Sequence, residues 1–284
     1  MAKKKLTVAI PASVISDTPH LREKTSKVGL IGRAAAIFRV NEIVVYPDNP
    51  KASQSADADL IATLLAYMET PQYLRKRLFK LEPRLQYGGI LSPLRTAHHP
   101  LNRKIKNLKV GEYREGVILS KTREGALVDI GVEQPALMRE KQSAAGKRLT
   151  VRIVKVDDQV EVQTASRGEV PFYWGYTVSV ERRSFNKFLA DRKFDLTIAT
   201  SKFGTKFAEV TEKIAEKWKK ANSILVGFGA PTRGLYEIAR DEGTNLNDIV
   251  DFVVNTITDQ GTETVRTEEA LLASLAILNV QFNH

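Results

Sequence analysis

The hydrophobic periodicity of the chain changes twice along its length, and this limits the folds it can adopt. Residues 1–91 alternate short apolar runs with segments of helical spacing. Strands are predicted at residues 6–10 and 42–46, and helices within SKVGLIGRAAAIFRV and DADLIATLLAYMETP. Strands that alternate with helices predict an α/β fold with a parallel sheet covered on both faces.

The same alternation returns from Phe172 to the end of the chain. Four apolar runs predict strands, namely YTVSV, DLTIATS, SILVGFG and DFVVNT. Helices are predicted at residues 208–221, 234–240 and 267–278. The last of these is apolar almost all round, which predicts a buried helix, while Glu268 and Glu269 in its first turn suit the positive end of the helix dipole.

Helical spacing is missing from the region between these two parts. Residues 92–167 instead contain short alternating runs separated by turn glycines: EGVILSK, GALVDIG, RLTVRIVKV and VEVQTA. This pattern is typical of a small antiparallel barrel with about five strands. We therefore predict one α/β domain formed by residues 1–91 and 168–284, with a barrel inserted at residues 92–167, because surface loops tolerate insertion.

The chain contains no cysteine and no long apolar run, and both facts limit the compartment in which it is expected. Disulfide scaffolds and cysteine-based zinc sites are excluded, and a reducing compartment is expected. The apolar run near the amino terminus is too short and too polar for a signal-peptide core, and no run reaches membrane-spanning length. We expect a cytoplasmic protein with no membrane segment.

Positive charge is concentrated in one part of the chain. The net charge is +10, and residues 71–109 carry ten Lys or Arg against a single acid, Glu82. Such a concentration is typical of nucleic-acid binders, although a solvated lysine-rich surface gives the same count. The candidate RNA-binding residues, expected to contact phosphates, are Lys76, Arg77, Arg95, Arg103, Lys104 and Lys106.

Three strands in the last third of the chain run into segments rich in glycine and hydroxyl groups, and the segments are residues 200–204, 227–234 and 256–264. In an open α/β sheet, ligands bind beyond the carboxyl ends of the strands. Glycine lets main-chain groups come close to a ligand. The three segments therefore predict one shared pocket that holds its ligand mainly through the main chain.

The sequence does not match several common motifs for ligand binding or catalysis. GFGAPTRG does not match the dinucleotide pattern G-x-G-x-x-G, and Leu235 and Tyr236 stand where a P-loop needs Lys and Ser/Thr. H-E-x-x-H and G-x-S-x-G are missing, and the chain has only four His. These failures disfavour a nucleotide-dependent oxidoreductase and a metal site.

The same residues carry a resemblance to a known family. VGFGAPTRGLYEI followed by NTITDQGTETVRTEEALLASLAIL resembles the paired cofactor loops of the SPOUT (SpoU–TrmD) methyltransferases. KVGLIGRAAAIFRVNEIVVY resembles the amino-terminal SpoU motif, and VGEYREGVILSKTREGALVDIG resembles the start of an S1-like or TRAM-like OB-fold module. The likeness is greatest to RNA uridine-N3 methyltransferases that carry an inserted OB-like domain.

The resemblance implies a trefoil-knot fold, S-adenosyl-L-methionine bound within the knot, and a homodimer with the last helix at its interface. The OB-like resemblance of the barrel predicts an RNA-binding face, although small barrels also serve as spacers. The implied cofactor-binding residues are Thr200, Gly227, Phe228, Gly229, Gly234, Ile257, Gly261, Thr262, Thr264 and Val265.

Arg33 matches the arginine of the SpoU motif and is the implied catalytic residue. Arginine stays protonated and is a poor general base. We therefore hypothesise that it stabilises negative charge on the target base or holds a phosphate. The alternative is an ordinary surface arginine on a helix.

Two functions from different classes remain open at this point. The first is an S-adenosylmethionine-dependent RNA methyltransferase that modifies N3 of a uridine in ribosomal RNA. The second is a non-catalytic RNA-binding or ribosome-assembly factor that keeps the fold. The intact glycine and hydroxyl segments favour the enzyme.

Overall fold

The computed structural model describes residues 4–140 and 144–282. In these residues the strands are β1 (Lys5–Pro11), β2 (Glu42–Tyr46), β3 (Tyr113–Lys121), β4 (Ala126–Asp129), β5 (Ala136–Met138), β6 (Arg148–Lys155), β7 (Glu161–Ala165), β8 (Thr177–Val180), β9 (Leu196–Lys206), β10 (Ser223–Gly227) and β11 (Phe252–Asn255). The α-helices are α1 (Leu21–Ile37), α2 (Ser55–Glu69), α3 (Gln72–Leu78), α4 (Phe185–Asp191), α5 (Phe207–Lys220), α6 (Leu235–Asp241), α7 (Leu246–Ile249) and α8 (Thr267–Phe282). Within the described ranges, every helix is too short or too polar to cross a membrane.

The chain divides into two compact units. The first contains the described residues of Met1–Ala66, Arg84–Ser92 and Tyr176–His284. The second contains those of Tyr67–Pro83 and Pro93–Gly175.

The first unit is built on a six-stranded sheet with the order β11-β9-β10-β1-β2-β8, in which every neighbouring pair is parallel. The predicted parallel sheet is confirmed. Val8, Ala9 and Ile10 of β1 are fully buried, so side chains on both faces of this strand are covered. Strands buried on both faces are continuous apolar runs, which is why the sequence signals them clearly. Because all six strands run the same way, their carboxyl ends meet at one edge.

Helix α8 differs from its prediction. It begins at Thr267 as expected but continues to Phe282, and only one face of it is buried, through Leu271, Leu275 and Leu278 among others. Leu272 is 47% exposed and Val280 is 60% exposed. The apolar character all round the helix therefore does not mean that this single chain covers it on every side.

A buried ion-pair group connects α1 to the start of α8. Lys27 Nζ lies 2.7 Å and 2.8 Å from the two carboxylate oxygens of Asp17, and 3.5 Å from Glu268 Oε2. Both Lys27 and Glu268 are 7% exposed. Burial raises the pKa of the Glu268 carboxyl above its usual value, against the charge of Lys27. Glu268, in the acidic first turn of α8, is thus buried against Lys27 of α1 where the two helices pack.

The second unit contains a closed five-stranded barrel with the order β3-β4-β5-β7-β6. Four of its pairings are antiparallel, as predicted, but β5 and β7 pair in parallel. Strand β5 was not predicted, because three residues are too few to show an alternating pattern. The interior is filled by an apolar cluster that includes Ile118, Val128 and Val151.

Gly125 is a position in the barrel where no other residue fits. Its φ is +152°, and a Cβ added there would lie 2.0 Å from the carbonyl oxygen of Met138. The turn between β3 and β4 can therefore approach β5 closely only with glycine.

The second unit also holds a buried network of charges around Glu69, which is 5% exposed. Its carboxylate oxygens lie 2.7 Å from Arg148 Nη1 and 2.6 Å from Arg167 Nη2, and Arg148 Nε donates to Glu115 at 2.6 Å. Burial raises the pKa of the Glu69 carboxyl, but the hydrogen bond from His98 and the charge of Arg148 outweigh it. The resulting pKa is about 2, compared with 4.5 for an ordinary Glu.

We expect this network to make the free energy of unfolding of the protein depend on pH in the acidic range. Because the folded-state pKa of Glu69 lies below its unfolded value, its stabilisation is full above pH 4.5 and is lost as the pH falls toward 2. Glu69→Gln should remove this component. The difference in free energy of unfolding between wild type and the variant should shrink by about 2 kcal/mol from pH 6 to pH 3, measured by urea unfolding.

Glu161→Gln is the matched control, since Glu161 is paired with Arg139 on the surface of the same barrel. Arg139 lowers the pKa of the Glu161 carboxyl too, but solvent screens this surface pair, so Glu161→Gln should change the pH dependence of stability far less than Glu69→Gln does. If wild type and Glu69→Gln lost the same free energy of unfolding between pH 6 and pH 3, the network would not be the source of the pH dependence.

Candidate functional site

Three chain segments meet at the carboxyl edge of the sheet in the first unit and enclose a cavity of about 270 Å³. They are residues 200–203 within β9, residues 228–234 after β10, and parts of residues 255–270 after β11. The volume is near the lower end of the range for small-molecule sites, which begins at about 300 Å³. The three segments are those that the sequence predicted to share a pocket.

The first segment is a bulge within β9 rather than a loop after it. Ala199 pairs with Val253, and the next pair along the two strands is Thr205 with Val254, so the five residues 200–204 have no partner in β11. A Cβ added at Gly204 would lie 2.7 Å from the carbonyl carbon of Val254. Because residue 204 is glycine, the end of the bulge packs directly against the backbone of β11. This close packing holds residues 200–203 at the cavity.

The second segment is held by hydrogen bonds to neighbouring strands. The buried Phe228 accepts at its carbonyl from the Tyr46 hydroxyl at 2.6 Å, and its N–H donates to the carbonyl of Ala9 at 3.0 Å. Thr200 Oγ1 donates to the carbonyl of Gly227 at 3.0 Å, which joins the first segment to the second. Burial, with the charges of nearby acids, raises the pKa of the Tyr46 phenol well above its usual value, so it stays a donor.

The second segment then makes a tight turn into α6. The N–H of Ala230 donates to the carbonyl of Arg233 at 2.8 Å. A Cβ added at Gly229 would lie 2.9 Å from Cα of Gly234 and 3.0 Å from N of Leu235. Gly229 is therefore required by the close approach of the two ends of the turn.

The third segment is tied to α8 and to the second segment through hydroxyl groups. Thr256 and Ser274 share a hydrogen bond of 2.8 Å between their hydroxyls. Thr267 Oγ1 donates to the carbonyl of Gly229 at 2.9 Å. Asn255 Nδ2 donates to the carbonyl of Lys202 at 3.1 Å. Main-chain groups and neutral side chains thus hold the three segments together.

The structure brings most of the predicted cofactor residues to the cavity. Of the predicted residues, those in its lining are Thr200, Phe228, Gly229, Gly234, Ile257, Thr264 and Val265. Gly227 lies behind this lining, where its carbonyl accepts from Thr200. Gly261 and Thr262 are exposed and outside the lining.

Charged side chains at the cavity are few. Lys202, Arg233 and Glu237 are in its lining, and Arg233 is paired with Asp241 at 2.6 Å. In the ranges 4–140 and 144–282, no group of three or more His, Asp or Glu is placed to hold a metal ion. The chemistry available to a ligand is therefore mainly that of backbone amides and carbonyls, hydroxyls and apolar walls, with few charged groups beside them.

Arg33 lies on α1, is partly buried, and does not line the cavity. Sequence reasoning missed several residues that position the cavity segments, namely Tyr46, Asn255, Thr267 and Ser274. Two of them, Tyr46 and Asn255, are the last residues of strands, and Thr267 is the first residue of a helix. A polar residue at the end of a buried strand beside the predicted pocket is the signal that could have identified them.

All six candidate RNA-binding residues lie in the second unit, and each is exposed. Arg77 pairs with Asp129 at 2.6 Å and Lys104 with Glu133 at 3.4 Å. Such surface pairs are weak, typically about 0–1 kcal/mol, so a phosphate can compete for these cations.

Comparisons with known proteins place the chain in a family. The family model described as "Putative RNA methyltransferase" matches residues 5–278. The chain is 33% identical to a protein of Drosophila melanogaster named 28S rRNA (uridine-N(3))-methyltransferase, over 96% of this chain and 61% of that protein. It is 33% identical to the Mus musculus protein of the same name, over 96% of this chain and 75% of that protein.

A third relative is an uncharacterized protein of Halobacterium salinarum, 32% identical over 96% of this chain and 98% of that protein. The chain thus spans a little under two thirds of the fly protein but nearly all of the haloarchaeal one. Since the family model covers almost the whole chain and the cavity lies within the matched residues, this protein belongs to the family described as "Putative RNA methyltransferase".

Proposed function

We propose that the protein is an S-adenosylmethionine-dependent RNA methyltransferase that modifies N3 of a uridine in ribosomal RNA. The observation that carries the proposal is the cavity at the carboxyl edge of the sheet, formed by three segments in a chain of this family. The names of the fly and mouse relatives support the choice of uridine N3 and of ribosomal RNA.

The residues present fit S-adenosylmethionine. Phe228, Ile257 and Val265 supply apolar walls, and the main chain of residues 229–234 supplies amide and carbonyl groups. Glu237, in the first turn of α6, adds a carboxylate that suits a hydroxyl or ammonium group. When bound, the cofactor would supply an electrophilic methyl group on a sulfonium.

The chain's contribution to such a transfer is mainly positioning, because an in-line approach between the acceptor nitrogen and the methyl group has to be held. The bonds from Tyr46 to Phe228, Thr200 to Gly227 and Thr267 to Gly229 fix main-chain carbonyls of the second segment. Groups fixed in this way do not have to reorganise during the reaction.

A supporting role is proposed for Arg33. N3 of uridine has to lose a proton, and an arginine side chain is a poor general base, so we do not assign the removal of that proton to Arg33. Because Arg33 lies outside the cavity lining, a contact with an RNA phosphate fits its position better than a contact with the reacting atoms. Full turnover and unchanged RNA affinity in Arg33→Ala would remove this role.

We also propose that the first unit has the SPOUT-type trefoil knot. Strand β11 lies outside β9, yet the chain after it returns to contact the segment after β10 through Thr267 and then packs as α8 on α1. This return path supports the threading that the resemblance implies. A crystal structure in which residues 255–267 do not pass through a loop of the chain would contradict it.

A second copy of this chain is the proposed partner of α1 and α8. Leu30 and Ile37 on α1 are 58% and 53% exposed, and Leu272 and Val280 on α8 are also exposed. Since α1 and α8 contact each other, these apolar side chains belong to neighbouring helices of one unit. Sedimentation of the purified chain as a monomer would contradict this dimer.

Deletion of the gene tests the proposed reaction. Mass spectrometry of ribosomal RNA should find N3-methyluridine at one position in wild-type cells and unmodified uridine at that position in the deletion strain. The gene on a plasmid should restore the methyl group. Unchanged modification in the deletion strain would contradict the proposed function and favour an assembly factor.

Gly229→Ala should weaken binding of S-adenosylmethionine by about 5- to 140-fold, since overpacking typically costs about 1–3 kcal/mol. The added Cβ would meet Gly234 at 2.9 Å and displace the turn. Titration calorimetry measures the effect, and Gly89→Ala is the control because a Cβ there meets no atom within 4 Å. Wild-type affinity in Gly229→Ala would contradict the placement of the cofactor.

RNA binding by the second unit should be strongly salt-dependent. The double variant Arg103→Ala/Lys106→Ala should lower the slope of log affinity against log salt concentration by about 1.5, from roughly 0.7–0.9 for each phosphate contact. Lys213→Ala, an exposed lysine on α5 in the first unit, should leave the slope unchanged. If Lys213→Ala lowered the slope as much as Arg103→Ala/Lys106→Ala does, an RNA-binding surface on the second unit would be contradicted.

A further inference from the structure

Phe203 is an aromatic residue that lies at the cavity with most of its side chain in water. Its side chain is 67% exposed, and it belongs to the cavity lining. The other aromatic residue of the lining, Phe228, is 1% exposed. Single exposed apolar side chains are common on protein surfaces, but this ring stands at the mouth of a ligand cavity, where a molecule that enters or flanks the cavity would meet it.

The backbone around Phe203 is held in place. The Lys202 carbonyl accepts from Asn255 Nδ2 at 3.1 Å, and the Phe203 N–H donates to Ser201 Oγ at 3.2 Å. On the other side, Gly204 is packed against the backbone of β11. The ring is therefore carried by a bulge fixed on both sides, and its exposure is a consequence of how β9 and β11 pair.

A positive charge accompanies the ring. Lys202 Nζ lies 5.2 Å from the centroid of the Phe203 ring and donates to the carbonyl of Glu263 at 3.3 Å. An exposed aromatic ring beside a cation is the combination with which proteins bind unpaired RNA, since the ring stacks on a base and the cation is attracted to the backbone phosphate.

We propose that Phe203 is a stacking platform for one unpaired nucleobase of the RNA substrate, at the mouth of the cofactor cavity. This inference rests on the proposed methyltransferase function and adds a residue that positions the RNA. N3 of a uridine in a duplex is engaged in base pairing, so the target has to be presented unpaired, and a stacking surface next to the cavity favours that state. Phe228, which is buried, and the main chain of residues 229–234 would remain available to hold the cofactor.

Four substitutions at one position separate the properties of the ring. Phe203→Tyr and Phe203→Trp keep an aromatic face, Phe203→Leu keeps apolar bulk without it, and Phe203→Ala removes both. The substrate is ribosomal RNA purified from cells that lack the gene. We measure kcat/KM for this RNA, the affinity for S-adenosylmethionine by calorimetry, and the oligomeric state by sedimentation.

The Leu and Ala variants should lower kcat/KM for RNA by about 5- to 140-fold, the range expected for one stacked base. The Tyr and Trp variants should stay within about threefold of wild type. All four should bind S-adenosylmethionine and sediment as the wild type does.

Three results would overturn the inference while wild type remains active. They are wild-type kcat/KM in Phe203→Leu, a loss of cofactor affinity that parallels the loss of activity, and a change of oligomeric state. A wild-type protein that binds no S-adenosylmethionine and methylates no RNA would instead show that the proposed function itself is wrong.

Discussion

The pairing of β11 with β9 on both sides of a five-residue bulge is the constraint on which the candidate site depends. The bulge carries Thr200 and Phe203 to the cavity, and it closes only because Gly204 can lie against the backbone of β11. The same pairing sets where β11 ends, so Asn255 reaches the Lys202 carbonyl and the third segment starts beside the first. One irregularity in an otherwise regular parallel sheet thus brings two of the three segments together.

The two units use different kinds of physical interaction for the two proposed ligands. At the cavity, neutral hydroxyl and main-chain hydrogen bonds fix the segments, as in the bond from Thr267 to the Gly229 carbonyl. These interactions do not depend on salt and favour a small ligand of mixed polarity. The second unit instead presents exposed cations such as Arg103 and Lys106, while its buried charges are paired around Glu69. Such a surface suits a polyanion.

The elements that could be predicted from the sequence are those whose hydrophobic pattern depends only on neighbouring residues. Buried runs such as Ile43 to Val45 and the helical spacing in α1 fix the α/β alternation, and the change in period marks the barrel. Sequence reasoning failed where structure depends on distant partners. The bulge in β9 is set by β11, about fifty residues away along the chain, and Tyr46 acts on Phe228 across 182 residues.

The candidate site was predicted to the level of segments rather than of side chains. Hydroxyl and glycine content indicates which segments approach a ligand, but it does not tell which residues face inward. Thr264 therefore lines the cavity while Gly261 and Thr262, a few residues earlier, are exposed outside it. Likewise, apolar composition alone does not distinguish a helix face that is covered within the chain from one that is exposed, as Leu272 on α8 shows.

A crystal structure of the protein with S-adenosylhomocysteine, a product of methyl transfer from S-adenosylmethionine, would show whether the three segments form the cofactor site. This molecule should lie between the three segments, with most of its polar contacts made to main-chain groups of residues 227–234 and 255–265. Binding elsewhere on the chain, or contacts made chiefly by charged side chains with the second segment displaced, would contradict this placement of the cofactor site.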